Sequence, residues 1–243
     1  MRIWGITDTG LVRRENQDAY ATAVIADCTV AIVCDGMGGT NGGHTASTVA
    51  VDTLLQQLQT ALHHGMDWQQ IRKAVLHGVA QANRAIRTRA DADESLSHMG
   101  TTLVCAVCRD TEAMVFNVGD SRCYLISNDG IRQVTRDHSV VENMVERGDI
   151  THAQARRHPS RNLITRALGP NIQAQVDTFS VPWKQRDCIL LCTDGLVNTV
   201  SDQEMLFEVL HDGDIESCLD HLLQISLQRG APDNITAVLL MNA

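Results

Sequence analysis

The sequence predicts an α+β fold in one domain, with two sheets packed together and helices outside. Three observations carry this expectation. Short apolar runs bounded by Gly, Asn, Asp and Pro recur at both ends of the chain and from residue 100 onward, as strands do. Two segments, 51–62 and 71–86, instead repeat apolar residues at helical spacing. No low-complexity linker or tandem repeat divides the 243 residues, a length ample for a substantial core.

Arg2 to Thr7 alternates and reads as a first strand, closed by the turn signal Thr7-Asp8-Thr9-Gly10. The polar stretch Val12 to Asp18 then places Arg13, Arg14, Glu15 and Asp18 just before a strand over Tyr20–Ile25. A third strand, Thr29–Cys34, delivers Asp35 to a stretch with Gly36, Gly38, Gly39, Gly42 and Gly43, read as a loop with a helix from about Ala46. Glycine allows close backbone approach to a ligand, and a carboxylate at a buried strand end beside such a loop is placed to hold a metal ion. Val51, Leu54, Leu55, Leu58 and Leu62 mark one amphipathic helix, and Ile71, Val75, Val79, Ala82 and Ile86 a second. Both are expected to cover one face of a sheet. Ala90–His98 is polar and reads as a loop.

Strands follow over Thr101–Cys108, Ala113–Val118, Cys123–Ser127 and Ile131–Val134. Arg109-Asp110-Thr111 and Asn128-Asp129-Gly130 look like hairpin turns, and the turn Gly119–Arg122 carries Asp120. Residues 135–170 look like an insertion, a flap with a helix over Val140–Arg147 and a capping box of Thr151 and Gln154 opening a second helix that ends by Pro159. Arg147, Arg156, Arg157, Arg161 and Arg166 give the flap a basic cluster suited to an anionic substrate. Further strands are expected at Gln175–Ser180 and Cys188–Cys192. The second ends in Thr193-Asp194-Gly195, repeating the earlier Asp35-Gly36 arrangement. Ser201 and Glu204 cap a helix, Ile215, Leu219, Leu222 and Leu223 mark another, and Ala231-Pro232-Asp233-Asn234 leads into a last strand, Ile235–Met241.

Composition narrows the function. Apolar residues make up 44%, charged residues 20%, and the net charge of −9 weighs against nucleic acid as a partner. No apolar run reaches the ~18 residues of a membrane span, so no membrane partner is expected. The N-terminus lacks a charged-then-apolar signal pattern, which points to the cytoplasm. The eight cysteines are expected to be buried and reduced. Cys105 and Cys108 have CxxC spacing, but residues three apart on a strand face opposite sides.

Asp18, Asp35, Asp120, Asp194 and Asp233 each adjoin an apolar strand. Buried carboxylates that cluster repel one another unless cations compensate them. Oxygen-only ligation favours hard ions such as Mg²⁺ or Mn²⁺. Two such ions ~3.5–4 Å apart can generate a hydroxide and clamp an in-line displacement at phosphorus.

Asn16-Gln17-Asp18-Ala19, Asp35-Gly36-Met37-Gly38-Gly39, Gly100-Thr101-Thr102, Val118-Gly119-Asp120-Ser121-Arg122, Asp137-His138-Ser139, Thr193-Asp194-Gly195 and Asp233-Asn234 occur in that order. In this the chain resembles the metal-dependent PP2C-type (PPM) protein serine/threonine phosphatases, in their compact bacterial branch, from about residue 5 to 241. The resemblance implies a four-layer α-β-β-α sandwich, two central antiparallel sheets flanked by helix pairs. It implies that Asp35 bridges two Mn²⁺ or Mg²⁺ ions and that the Gly36 carbonyl binds the second. Asp194 and Asp233 would complete the first ion, and Asp120 with Asp194 would match a third, weaker one. Asp18 would act on the second ion through water, and Arg13 would hold the phosphate. Catalysis would then rest on Arg13, Asp35 and Asp194.

Two positions depart from the family pattern. Gln17 stands where many eukaryotic members have Glu, and Met37 where they have a His proposed as the leaving-group acid. His44, His158 or a metal-bound water are the candidates for that proton. The expected activity is hydrolysis of phosphoserine and phosphothreonine in proteins, reversing a bacterial Ser/Thr kinase, by a monomer. The alternatives are a non-catalytic PP2C-like phosphoprotein-binding module and another two-metal phosphoesterase such as a nuclease.

Overall fold

Most strands are apolar on both faces because each sheet is covered on both sides. In strand β3 (Cys28–Met37), Val30, Ile32 and Cys34 pack toward helices, while Ala31 and Val33 face the opposite sheet. The computed structural model describes residues 1–211 and 214–242, with the side chains of 40 and 41 left aside. One sheet runs β1 (Arg2–Asp8), β11 (Ile235–Met241), β10 (Cys188–Cys192), β7 (Arg122–Ser127), β8 (Gly130–Gln133). The other runs β2 (Asp18–Ile25), β3, β5 (Leu103–Cys108), β6 (Glu112–Val118), β9 (Asp177–Pro182), with the two-residue β4 (Gly100–Thr101) beside β3. All strand pairs within the sheets are antiparallel.

Helices α1 (Gly39–Ala61) and α2 (Trp68–Ala92) cover the β2–β9 sheet through Leu54, Leu58, Ile71, Val75 and Val79. The flap carries α3 (Val140–Glu146) and α4 (His152–Ala155). The one-turn α5 (Asp194–Val197), with α6 (Asp202–His211) and α7 (Ile215–Gln228), covers the other sheet through Met205, Val209, Leu219 and Leu222. A third core, with Val104, Val115, Ile189, Leu191, Val238 and Leu240, lies between the sheets. The four layers are those of the expected α-β-β-α sandwich.

Several boundaries differ from expectation. The glycine-rich loop is not a loop: β3 runs on through Asp35 and Gly36 to Met37, and α1 begins at Gly39. The strand expected over 101–108 breaks at Thr102, whose backbone turns to Asp35. Ala90–His98 is partly helical, because α2 reaches Ala92 and a 3-10 turn covers Glu94–Leu96. Strand β9 sits two residues later than expected and includes Pro182, tolerated because β9 is an edge strand. The eight cysteines are buried thiols outside any disulfide, and Cys105 and Cys108 lie in different cores on opposite faces of β5.

Candidate active site

Two sheet registers and two strand exits bring the carboxylates together. Asp18 and Asp35 are direct partners across β2 and β3. Asp194 follows β10 and opens α5, where a carboxylate suits the positive helix end. Asp233 precedes β11, the neighbour of β10, and Asp120 precedes β7 on its other side. Arg13, Arg14, Glu15, Gln17, Asp35, Gly36, Met37, Thr102, Asp120, Asp194 and Asp233 line one cavity of about 450 Å³. Asp18 does not line it; it is buried beside Asp35, its cross-strand partner.

A frame of neutral side chains holds these groups. Thr102 accepts the Asp35 N–H at its Oγ1 (2.9 Å) and meets the Ser121 hydroxyl at 2.7 Å, so one side chain links the Asp35 strand to the Asp120 turn. The Thr101 hydroxyl donates to the Asp35 carbonyl at 2.8 Å. Asn234 donates to the carbonyls of Thr9 (2.9 Å) and Glu15 (3.0 Å) and accepts the Gln17 N–H (2.9 Å), pinning the loop that carries Arg13. Gly36 has no room for a side chain: a Cβ would sit 2.1 Å from the Gly43 carbonyl oxygen. Gly195 is the same, with the Asn234 carbonyl oxygen 1.9 Å from a Cβ. Both Asp-Gly pairs therefore mark close backbone crossings.

The electrostatics are those of an acidic site. Burial, reinforced by neighbouring carboxylates, pushes Asp18 up to about 7, Asp120 to about 8 and Asp194 to about 6, and raises Asp35 well above the ordinary range. Thr193 donates to Asp18 Oδ2 at 2.9 Å, but Asp18 Oδ1 is buried with no hydrogen-bond partner. Arg13 donates to Asp233 Oδ2 at 2.7 Å while its side chain stays 54% exposed. Oxygen donors, mutual repulsion and an orphaned buried oxygen fit a hard divalent cation. Among the described residues, no three His, Cys, Asp or Glu side chains are already drawn together closely enough to hold an ion, so these carboxylates would have to close on one as it binds. The Gln17 amide is partly committed, with Nε2 donating to the Gly39 carbonyl at 2.9 Å.

Other expectations do not meet at the cavity. His44 Nδ1 lies 3.2 Å from the Asn16 carbonyl, His158 Nδ1 accepts the Ser160 N–H at 3.1 Å, and neither ring lines the cavity. None of the five flap arginines lines it either, and Arg166 is tied to Asp177 at 2.8 Å. The flap's contribution is Asn162 and Ile164. Those two, and Arg14, carry no sequence signal that singles them out. The framing role of Thr101, Thr102 and Asn234 was signalled only by their place in the quoted motifs.

The protein phosphatase 2C family model matches residues 12–239. The chain belongs to the protein phosphatase 2C family. It is 36% identical over 237 residues to the serine/threonine phosphatase stp of Listeria innocua, covering 96% of this chain and 93% of that one. It is 32% identical to a crystal structure of a bacterial serine phosphatase, with a TM-score of 0.93 and coverage of 100% and 98%. It is also 32% identical to the serine/threonine phosphatase Stp1 of Staphylococcus aureus, with a TM-score of 0.91 and coverage of 98% and 94%. This protein phosphatase 2C is thus an enzyme of the serine/threonine phosphatase type, and metal dependence is a property of its family. None of its described helices is long and apolar enough to cross a membrane.

Proposed function

We propose that this phosphatase hydrolyses phosphoserine and phosphothreonine in proteins, with Mn²⁺ or Mg²⁺ held by Asp35, the Gly36 carbonyl, Asp194 and Asp233. Asp18, beside Asp35, acts on the second ion through water, and Asp120 with Asp194 holds a third, weaker ion. The observation that carries this reading is the convergence of Asp35, Asp120, Asp194 and Asp233 with Arg13 on one open cavity. Bound ions supply a nucleophile of hydroxide strength at neutral pH and neutralise charge on the phosphoryl group.

Arg13 has five donors and one Nη on Asp233, which leaves others to grip two phosphate oxygens and orient the phosphorus. The Asn234 contacts hold the loop that carries Arg13 against the cavity edge, and Asp233 holds its guanidinium there. Among the described residues no imidazole lines the cavity, so water is the favoured proton donor to the departing alkoxide over His44 or His158. The enzyme acts as a monomeric cytoplasmic protein on phosphorylated proteins, opposing a Ser/Thr kinase. Its phosphatase domain spans 1–243, with the 135–170 flap bordering the cavity through Asn162 and Ile164.

The test is turnover of a phosphoserine peptide with and without Mn²⁺, beside Asp35→Asn and Asp194→Ala. Ion-dependent phosphate release, lost in both variants, is expected. Peptide binding without release would favour the binding module instead.

A further inference from the structure

The tripeptide Asp137-His138-Ser139 takes no part in the chemistry above, yet it grips the turn that carries Asp120 from both sides. Asp137 receives Arg122 through Nε at 3.0 Å and Nη2 at 2.7 Å, fixing the residue two places after Asp120. His138 takes hold of Gly119, the residue before Asp120, at both its main-chain groups. Its own N–H donates to the Gly119 carbonyl at 2.9 Å, and its ring Nδ1 accepts the Gly119 N–H at 3.0 Å. Asn117 adds a bond to the same carbonyl at 3.2 Å.

The far side of the imidazole faces the flap. Since Nδ1 is an acceptor, the neutral ring carries its proton on Nε2. That proton points to Asp177 Oδ2 at 3.0 Å; Arg166 Nη1 lies 3.1 Å from the same ring nitrogen and donates to Asp177 Oδ1 at 2.8 Å, so the three side chains form one cluster. The His138 carbonyl accepts the Thr165 N–H at 2.7 Å, and Ser139 caps α3 and pairs with Ile164, a cavity-lining residue. The ring is buried, so these bonds are made out of competition with water.

We propose that His138 is a positioning residue for Asp120, joining the Asp120 turn to the flap so that the two move as one unit. The reach of the Asp120 carboxylate toward an ion then depends on the flap segment 163–166 and on the Asp177–Arg166 pair. This rests on the reading of Asp120 as an ion ligand.

The test counts Mn²⁺ bound per protein, from free Mn²⁺ measured by electron paramagnetic resonance, in the whole chain. Asp120→Asn removes the ligand; His138→Leu removes the clamp. His138→Asn keeps an acceptor oxygen near the Nδ1 position but loses the Asp177 contact. His138→Leu is expected to weaken the last binding phase about tenfold or more, the scale of lost outer-sphere support. His138→Asn should restore much of it, and the Leu change should add nothing in the Asp120→Asn background. Should His138→Leu fail to fold, Asp177→Asn, at a half-exposed position, should weaken the same phase about two- to fivefold, as loss of one part-exposed ion pair does. Equal behaviour of the Leu and Asn variants, additive effects with Asp120→Asn, or an unchanged phase in Asp177→Asn would overturn the clamp. If Asp120→Asn itself leaves Mn²⁺ binding unchanged, the ligand reading of Asp120 falls, and the clamp with it.

Discussion

Asp35-Gly36 and Asp194-Gly195 are the same dipeptide after the same kind of apolar strand, yet they end up in opposite settings. Asp35-Gly36 stays inside β3, between Asp18 on one side and Thr101 on the other. Its main chain is held by Thr101 and Thr102. Asp194-Gly195 leaves β10 and opens α5, and its carboxylate is met by Asn198 at 3.2 Å from one helical turn on. One carboxylate is fixed by sheet pairing, the other by a helix start. The lesson is that the dipeptide encodes a close crossing of backbones, not a conformation. The neighbours that cross it decide whether it continues as strand or turns into helix.

The largest expected effect breaks the symmetry between the two carboxylates. Asp35→Asn should lower phosphatase kcat/KM by about 10³-fold or more, since it removes the most central of the carboxylates that would hold the ions. Asp194→Ala should be as damaging at low Mn²⁺ but partly recover at high Mn²⁺, which a metal titration of activity will read. If Asp35→Asn recovers as well as Asp194→Ala, Asp35 is no more central to ion binding than Asp194.

The two glycines should behave alike despite their different settings. Gly36→Ala and Gly195→Ala each drive a Cβ into a carbonyl oxygen, so each should cost about 3 kcal/mol or more in urea unfolding. A mild loss at either position would show that its backbone crossing can relax.

Stability in the absence of metal should fall with rising pH. Asp18, Asp120 and Asp194 have folded values of about 7, 8 and 6, above the ordinary 3.8. The folded chain therefore holds protons that the unfolded chain has released. Their contribution is full below the ordinary carboxylate range and is lost progressively as pH rises from about 4 through the folded values of about 6 to 8. Melting temperature in EDTA should decline across that window, and saturating Mn²⁺ should flatten the decline. A flat profile in EDTA would contradict the carboxylate clustering.

Smaller effects separate the two supports. Thr102→Val strips the Asp35 N–H and Ser121 of a buried partner and should cost about 1–3 kcal/mol. Asn198→Ala, at an exposed position, should cost about 0.5 kcal/mol or less. The smallest change is expected at the flap surface. Arg156→Glu with Arg157→Glu should slow a protein substrate by about two- to fivefold while changing an aryl phosphate less, because both side chains are exposed and away from the cavity lining. Equal losses on both substrates would remove the flap from substrate choice.

Much of the fold was legible in the chain because both periodicities are strong there. The alternation in β1 and the helical spacing of α2 survive in the structure with shifts of a few residues at most. The glycine-rich stretch was misread because glycine is a sound loop signal in isolation. Here the glycines serve contact: Gly36 lets Gly43 and Gln17 approach, and α1 begins early because its first turn packs against Met99 rather than reaching into solvent. The five carboxylates could be named from strand ends, but strand ends alone do not separate Asp18 from the others. The β2–β3 register sets it beside Asp35, and its burial keeps it off the cavity wall.

The sequence by itself determined the layer order, the burial of the cysteines, the oxygen-only donor set and the family, since these follow from local period, residue chemistry and motif order. Tertiary structure alone decided which donors share a wall, that neither His44 nor His158 reaches it, and that the flap meets the site through Asn162 and Ile164. The reason is physical. Those facts depend on contacts between residues far apart in the chain, such as Thr193 with Asp18 and His138 with Asp177. Local patterns carry no information about such distances until the sheets have packed.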